Sequence, residues 1–204
     1  MTGEDPDRLL HEKYFPGAPP AGDTHAQVIN AGPSSAMEIL TDALFAVIGS
    51  AQQEVLAVTP YFVPPPEIVR AFRVAALRGV DVRLVLPRRN NHLYAGLVGR
   101  ALYDDLLASG VRLFECPAPF LHAKALIVDN RLAVVGTANL DVRSLRPNYE
   151  TNIVVFDEAF SREMKRIVLN DLEVSRELQL DRWRSRPAVH RILENACNLL
   201  TPIL

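Results

Sequence analysis

The chain has 204 residues, 49% of them apolar, and a formal net charge of −2. That length and apolar share suit one domain with a buried core and exclude a disordered chain. The near-neutral charge excludes a global electrostatic attraction to nucleic acid, so nucleic acid is not an expected partner. Residues 1–27 carry Pro6, Pro16, Pro19 and Pro20 without periodicity and read as a flexible tail or linker; residues 28–204 read as one domain. The first residues lack a signal peptide's basic-then-apolar order. A short strand is expected at 28–30, then a helix at 37–51 with Leu40, Leu44, Val47 and Ile48 on one side. A strand at 55–59 stops at Pro60 and the run Pro64-Pro65-Pro66. Pro66 opens a helix at 67–78, which Gly79 ends. A strand follows at 82–86, a helix at 93–109 ending at Gly110, and a strand at 111–115. Strands at 122–128 and 132–135 flank an Asp129-Asn130 turn, with a strand at 152–156 and a helix at about 160–178 beyond them. Alternating strands and helices imply an α/β fold: a mixed, largely parallel sheet flanked by helices on both faces, with an antiparallel hairpin at Asp129.

The chemistry concentrates in residues 121–139, where His122, Lys124 and Asp129 form H-x-K-x-x-x-x-D and Gly136-Thr137-Ala138-Asn139 follows. Residues two apart on a strand share a face, so His122 and Lys124 are expected side by side. An imidazole ringed by an ammonium, a hydroxyl and an amide suits a phosphoryl group better than a peptide bond. Asp129 lies an odd number of residues from His122, so a regular strand turns it to the opposite face, where it anchors a strand end or turn. A catalytic histidine usually has its second nitrogen fixed by a hydrogen bond, and Glu150 is the candidate to orient it.

These residues resemble the signature of the phospholipase D superfamily. The runs Thr59-Pro60-Tyr61-Phe62-Val63-Pro64, Ala138-Asn139-Leu140-Asp141-Val142-Arg143-Ser144 and Asn148-Tyr149-Glu150 narrow the resemblance to the C-terminal half of bacterial cardiolipin synthases, over roughly residues 28–204. The resemblance implies a catalytic set of His122, Lys124, Asp129 and Glu150, with Thr137 and Asn139 contacting phosphate. It implies a phosphohistidine intermediate and no metal or other cofactor. The expected reaction is transfer of a phosphatidyl group between phosphatidylglycerol molecules. One departure is large: the family's site joins two such motifs, and this chain has one. His11-Glu12-Lys13 imitates its start, but no Gly-Thr/Ser-x-Asn follows. The expected partner is therefore a second copy, as a homodimer, or a missing N-terminal half. Alternatives are a homodimeric phosphodiesterase or nuclease of the same superfamily, and a catalytically silent fragment or interaction domain.

Arg143 could clamp phosphate through its fork of donors or stabilise its loop, with Ser144 beside it as a further substrate contact. The segment 88–92, with Arg88 and Arg89, follows a strand end where α/β sheets place ligand loops, and Tyr61 and Phe62 follow another. Cys116 and Cys197 make no metal cluster and require no disulfide, which suits a reducing cytoplasm. No apolar run is long enough to span a membrane. The tail 189–204 carries Ile192, Leu193, Ala196, Leu199, Leu200, Ile203 and Leu204, with Arg182, Arg184, Arg186 and Arg191 as the basic part leading into these apolar residues. That order suits either packing or resting on an anionic bilayer. The expected location is peripheral, on the cytoplasmic side of the cell membrane.

Overall fold

The computed structural model describes residues 11–14, 16–17, 19, 21–33, 38–117 and 121–199. Its strands are β1 (His25–Ala31), β2 (Glu54–Val58), β3 (Phe62–Val63), β4 (Asp81–Pro87), β5 (Arg112–Cys116), β6 (Ala125–Val128), β7 (Leu132–Gly136), β8 (Leu140–Asp141), β9 (Glu150–Phe156) and β10 (Arg176–Glu177). Its α-helices are α1 (Ile39–Gly49), α2 (Pro66–Leu77), α3 (Leu93–Ala101), α4 (Tyr103–Ala108), α5 (Val142–Leu145), α6 (Glu158–Glu173), α7 (Leu180–Arg184) and α8 (Ala188–Leu199).

Eight strands form one sheet in the order β1-β9-β7-β6-β2-β4-β5-β10, while β3 and β8 pair separately. The sheet is mixed, as expected, but the expectation that it is largely parallel is corrected. Among the described residues, β2/β4 and β4/β5 are the parallel pairs within it; the β1/β9, β9/β7, β7/β6, β6/β2 and β5/β10 pairs are antiparallel. Parallel neighbours need a helical crossover. Among the described residues, α2 and the α3–α4 pair supply one on each side of β4, whereas β6 and β7 join by a tight turn.

Helices cover both faces. Alternate residues of β2 divide between two cores: Val55 and Ala57 pack with α1, α2 and α4, and Leu56 and Val58 pack under α6. Burial on both sides explains why β2 reads as an unbroken apolar run. Gly79 and Gly110 take φ of +89° and +90° and end α2 and α4, the left-handed conformation that favours glycine at a helix end.

The differences from expectation have local causes. The helix expected at 93–109 is two helices, because the amide of Leu102 bonds the Gly99 carbonyl at 3.1 Å and tightens one turn. Gly99 is also where the Phe62 carbonyl presses against α3, leaving no room for a Cβ. The helix expected at about 160–178 ends at Glu173, and β10 folds back on β5. β1 begins at His25, inside the expected tail, because it pairs with β9 from His25 to Ala31. Residues 1–10 of that tail, and Met37 of the first helix, lie outside the described residues.

Candidate active site

The registers Val58↔Ala125, Ala125↔Val135 and Gly136↔Asn152 bring the carboxyl ends of β2 and β7 to the same edge of the sheet as the starts of β6 and β9. Lys124, Thr137 and Glu150 therefore gather at that edge. A small depression there is lined by Lys124, Thr59, Gly136, Ala138, Leu140 and Asn152. Gly136 is required by close approach: a Cβ built on it would overlap Asn152 Oδ1 and the Thr151 carbonyl.

Glu150 is held from two sides. The Thr137 hydroxyl donates to Oε2, and Asn148 Nδ2 donates to Oε1 at 3.2 Å. Thr137 Oγ1 in turn accepts the Thr151 amide at 3.0 Å, which locks it across the β7–β9 pair. Asn139 Nδ2 donates to Ser144 Oγ at 3.1 Å, and the same side chain interacts with the Asp141 carboxylate. Asn139 Oδ1 is enclosed without a hydrogen-bond partner among the described residues.

His122 and Lys124 depart from expectation in their backbone. β6 begins at Ala125, so both precede the strand, and the shared-face argument does not apply to them. They are tied through the main chain instead: Lys124 Nζ donates to the His122 carbonyl at 2.9 Å. His122 is exposed and Lys124 half-buried. Burial holds the Lys124 ammonium below the ordinary lysine range, against the opposing pull of the Glu150 and Asp141 carboxylates.

Asp129 lies at the far end of β6. Its carboxylate accepts the backbone amides of Gln52, Gln53 and Glu54 at 2.9, 2.8 and 2.9 Å, anchoring the hairpin to the loop before β2. Asp129 and Asn130 have φ of +52° and +53°, the left-handed pair of a tight hairpin turn. Ser144 is buried behind Asn139, its amide capped by Asp141 Oδ1 at 2.7 Å. Arg143 is exposed and makes no ion pair with a described residue. Tyr61 Oη bonds Asn91 Oδ1 at 2.9 Å, and Asn90 Nδ2 bonds the Pro60 carbonyl at 3.0 Å, so the segments after β2 and β4 brace each other.

Two supporting residues had no role in the sequence reading beyond their place in the family-like runs. Burial pushes the Asp141 carboxyl above the ordinary range, helped by the Glu150 charge and opposed by Ser144 and Asn139. Its place three residues before Ser144 is the spacing of a helix N-cap, a readable signal that was passed over. Thr59 is buried and its hydroxyl accepts the Leu140 amide at 3.2 Å, a contact between distant segments that no local pattern announces. Among the described residues no group of three or more His, Cys, Asp or Glu converges as a metal-binding set.

The family model described as "Cardiolipin synthase, PLD-like domain" matches residues 44–172. The chain belongs to that family. This phospholipase D-like chain is 38% identical over 178 residues to cardiolipin synthase A of Proteus mirabilis, covering 87% of itself and 37% of that protein. It is 35% identical to the major cardiolipin synthase ClsA of Bacillus subtilis, covering 94% of itself and 40% of that protein. It thus spans about two fifths of the length of these relatives. Among solved structures, the phospholipase D family member Nuc from Salmonella typhimurium shares its fold, with TM-score 0.67 at 23% identity over 77% of this chain and 99% of that one.

Proposed function

We propose that this chain supplies one half of a phosphatidyltransferase of cardiolipin synthase type. The phosphatidyl group passes from one phosphatidylglycerol to a hydroxyl of another, releasing glycerol. The observation that carries this reading is the meeting of Lys124, Thr137 and Glu150 at one sheet edge, in a chain 35–38% identical to cardiolipin synthases.

In the proposed sequence an imidazole nitrogen attacks phosphorus, a P–N bond forms, and the P–O bond to glycerol breaks. A second imidazole gives its proton to the departing alkoxide. The acceptor hydroxyl then loses its proton to that same imidazole and attacks phosphorus, breaking P–N. This divides one difficult displacement into two easier ones. His122 fills one of these two roles. Lys124, Thr137 and Asn139 counter the charge on the non-bridging oxygens, and the partly desolvated site strengthens each such contact. Glu150, fixed by Thr137 and Asn148, is the carboxylate proposed to orient an imidazole. Asp129, bonded to three backbone amides, holds the hairpin that carries the motif.

The second imidazole and ammonium come from a second copy across a two-fold axis or from a missing N-terminal half. The chain works peripherally at the cytoplasmic face of a membrane. No described helix is long and apolar enough to cross one.

The test is to quench a reaction with phosphatidylglycerol labelled in its phosphatidyl portion and look for label on the protein. An acid-labile adduct is expected in the wild type once a second copy or the N-terminal half completes the site. It should vanish, with at least about a hundredfold loss of turnover, in His122→Asn. Wild-type turnover that persists undiminished in His122→Asn would overturn the assignment.

A further inference from the structure

α8 is amphipathic in the reverse sense from a core-packing helix. Val189, Ile192, Leu193, Ala196 and Leu199 fall on one side of it, and all five are exposed, Ile192 at 68% and Leu199 at 79%. Its one carboxylate points inward. Glu194 is 4% exposed and takes a two-point bond from Arg186, at 2.8 and 3.0 Å. Arg186 also stacks on the buried Trp183 ring. The polar anchor thus faces the body and the apolar stripe faces out. A contiguous apolar surface of this kind marks a contact.

Position and charge indicate what it contacts. The Tyr94 hydroxyl bonds the Cys197 carbonyl at 3.1 Å, setting the last turn of α8 beside the start of α3. There Leu93 is 76% exposed. α3 follows the carboxyl end of β4, so this end of the stripe adjoins the sheet edge that carries Lys124, Thr137 and Glu150. Arg88, Arg89 and Arg191 are exposed and make no ion pair with a described residue. With Glu194 buried and neutralised, α8 presents no exposed carboxylate. An apolar stripe with a cationic border is the profile of a helix lying in a bilayer interface.

We infer that α8, with Leu93 and these arginines, is the seat by which the chain rests on an anionic lipid surface and turns its active-site edge toward the headgroups. The inference deepens the proposed function and rests on it: a phosphatidyl donor lies in a bilayer, and a site that takes it must face one.

The test is sedimentation of the full chain with vesicles of phosphatidylcholine plus phosphatidylserine, against phosphatidylcholine alone. Phosphatidylserine supplies the charge without being the proposed donor. Binding is expected only to the anionic vesicles and should weaken with added salt. It should fall about tenfold or more in Ile192→Ser/Leu199→Ser. Both side chains are exposed, so the variant should keep the wild-type melting temperature. Equal binding by the variant, or no binding by the wild type, overturns the inference. So does a variant that instead converts a dimer to a monomer, since the stripe would then be a protein contact. Adduct formation on detergent-dispersed phosphatidylglycerol needs no bilayer, so it reports separately on the proposed function.

Discussion

At Asp129 both carboxylate oxygens are taken by backbone: Oδ2 by Gln52, Oδ1 by Gln53 and Glu54. Burial acts to raise its pKa, but the three amides and Arg131 outweigh it and hold the carboxyl below its ordinary range. A depressed folded-state pKa means the stabilisation is complete above the unfolded value of about 3.9 and fades as pH falls through the folded value. Asp129→Asn should therefore cost about 1–2 kcal/mol at neutral pH, the worth of losing charge-assisted acceptance. That difference should shrink as pH falls below about 3.9, where the unfolded wild type takes up the proton first, and should be lost once pH has passed below the folded value. Urea denaturation of both proteins at the two pH values measures it; a gap that widens in acid would contradict this account. The same residue shows what was legible at this scale. The turn with Asn130 was readable, but Gln52–Glu54 as its partners were not, and the odd offset from His122 carries no weight because His122 precedes β6. Those amides lie more than seventy positions away, and no local pattern encodes such a contact.

Elements with a strong period were the easiest to read. α2 opens at Pro66 and ends before Gly79, and β2, β4 and β5 lie within a residue or two of expectation, because Pro, Gly and apolar alternation act locally. The two-residue strands β3 and β8 carry no period, and they exist because the segments after β2 and β7 pair at Phe62↔Leu140. At α8 the apolar stripe was legible, but which way it faces was decided by Glu194 and Arg186. Removing the carboxylate in Glu194→Ala leaves a half-buried guanidinium unpaired, a costly arrangement. The expected result is amide exchange at least about tenfold faster across 188–199, with the central sheet unchanged. Exchange in α8 that stays at the wild-type rate would show that another contact holds the helix.

For the whole molecule, the decisive fact is one H-x-K motif in a chain that spans about two fifths of its relatives. If two copies of this chain complete a site, turnover per chain should fall on dilution below the dimer dissociation constant, following the dimer fraction in sedimentation. If an N-terminal half is required, the chain alone should be silent at every concentration and recover when that half is supplied. Dilution-independent turnover by a monomer would refute both versions, and with them the need for a second imidazole.

The sequence by itself determined the family, the strand–helix alternation and the residues of the motif. Each of these depends on local spacing, on residue type or on a run of neighbouring residues. Tertiary structure alone decided that the sheet is mostly antiparallel, that His122 and Lys124 precede β6, that Thr137 bonds Glu150 and that α8 turns its apolar side outward. Each of those depends on how segments meet in space, from the eight positions between Arg186 and Glu194 to strand pairs much further apart. The free energy of such a meeting depends on register and burial in three dimensions, which neighbouring residues do not encode.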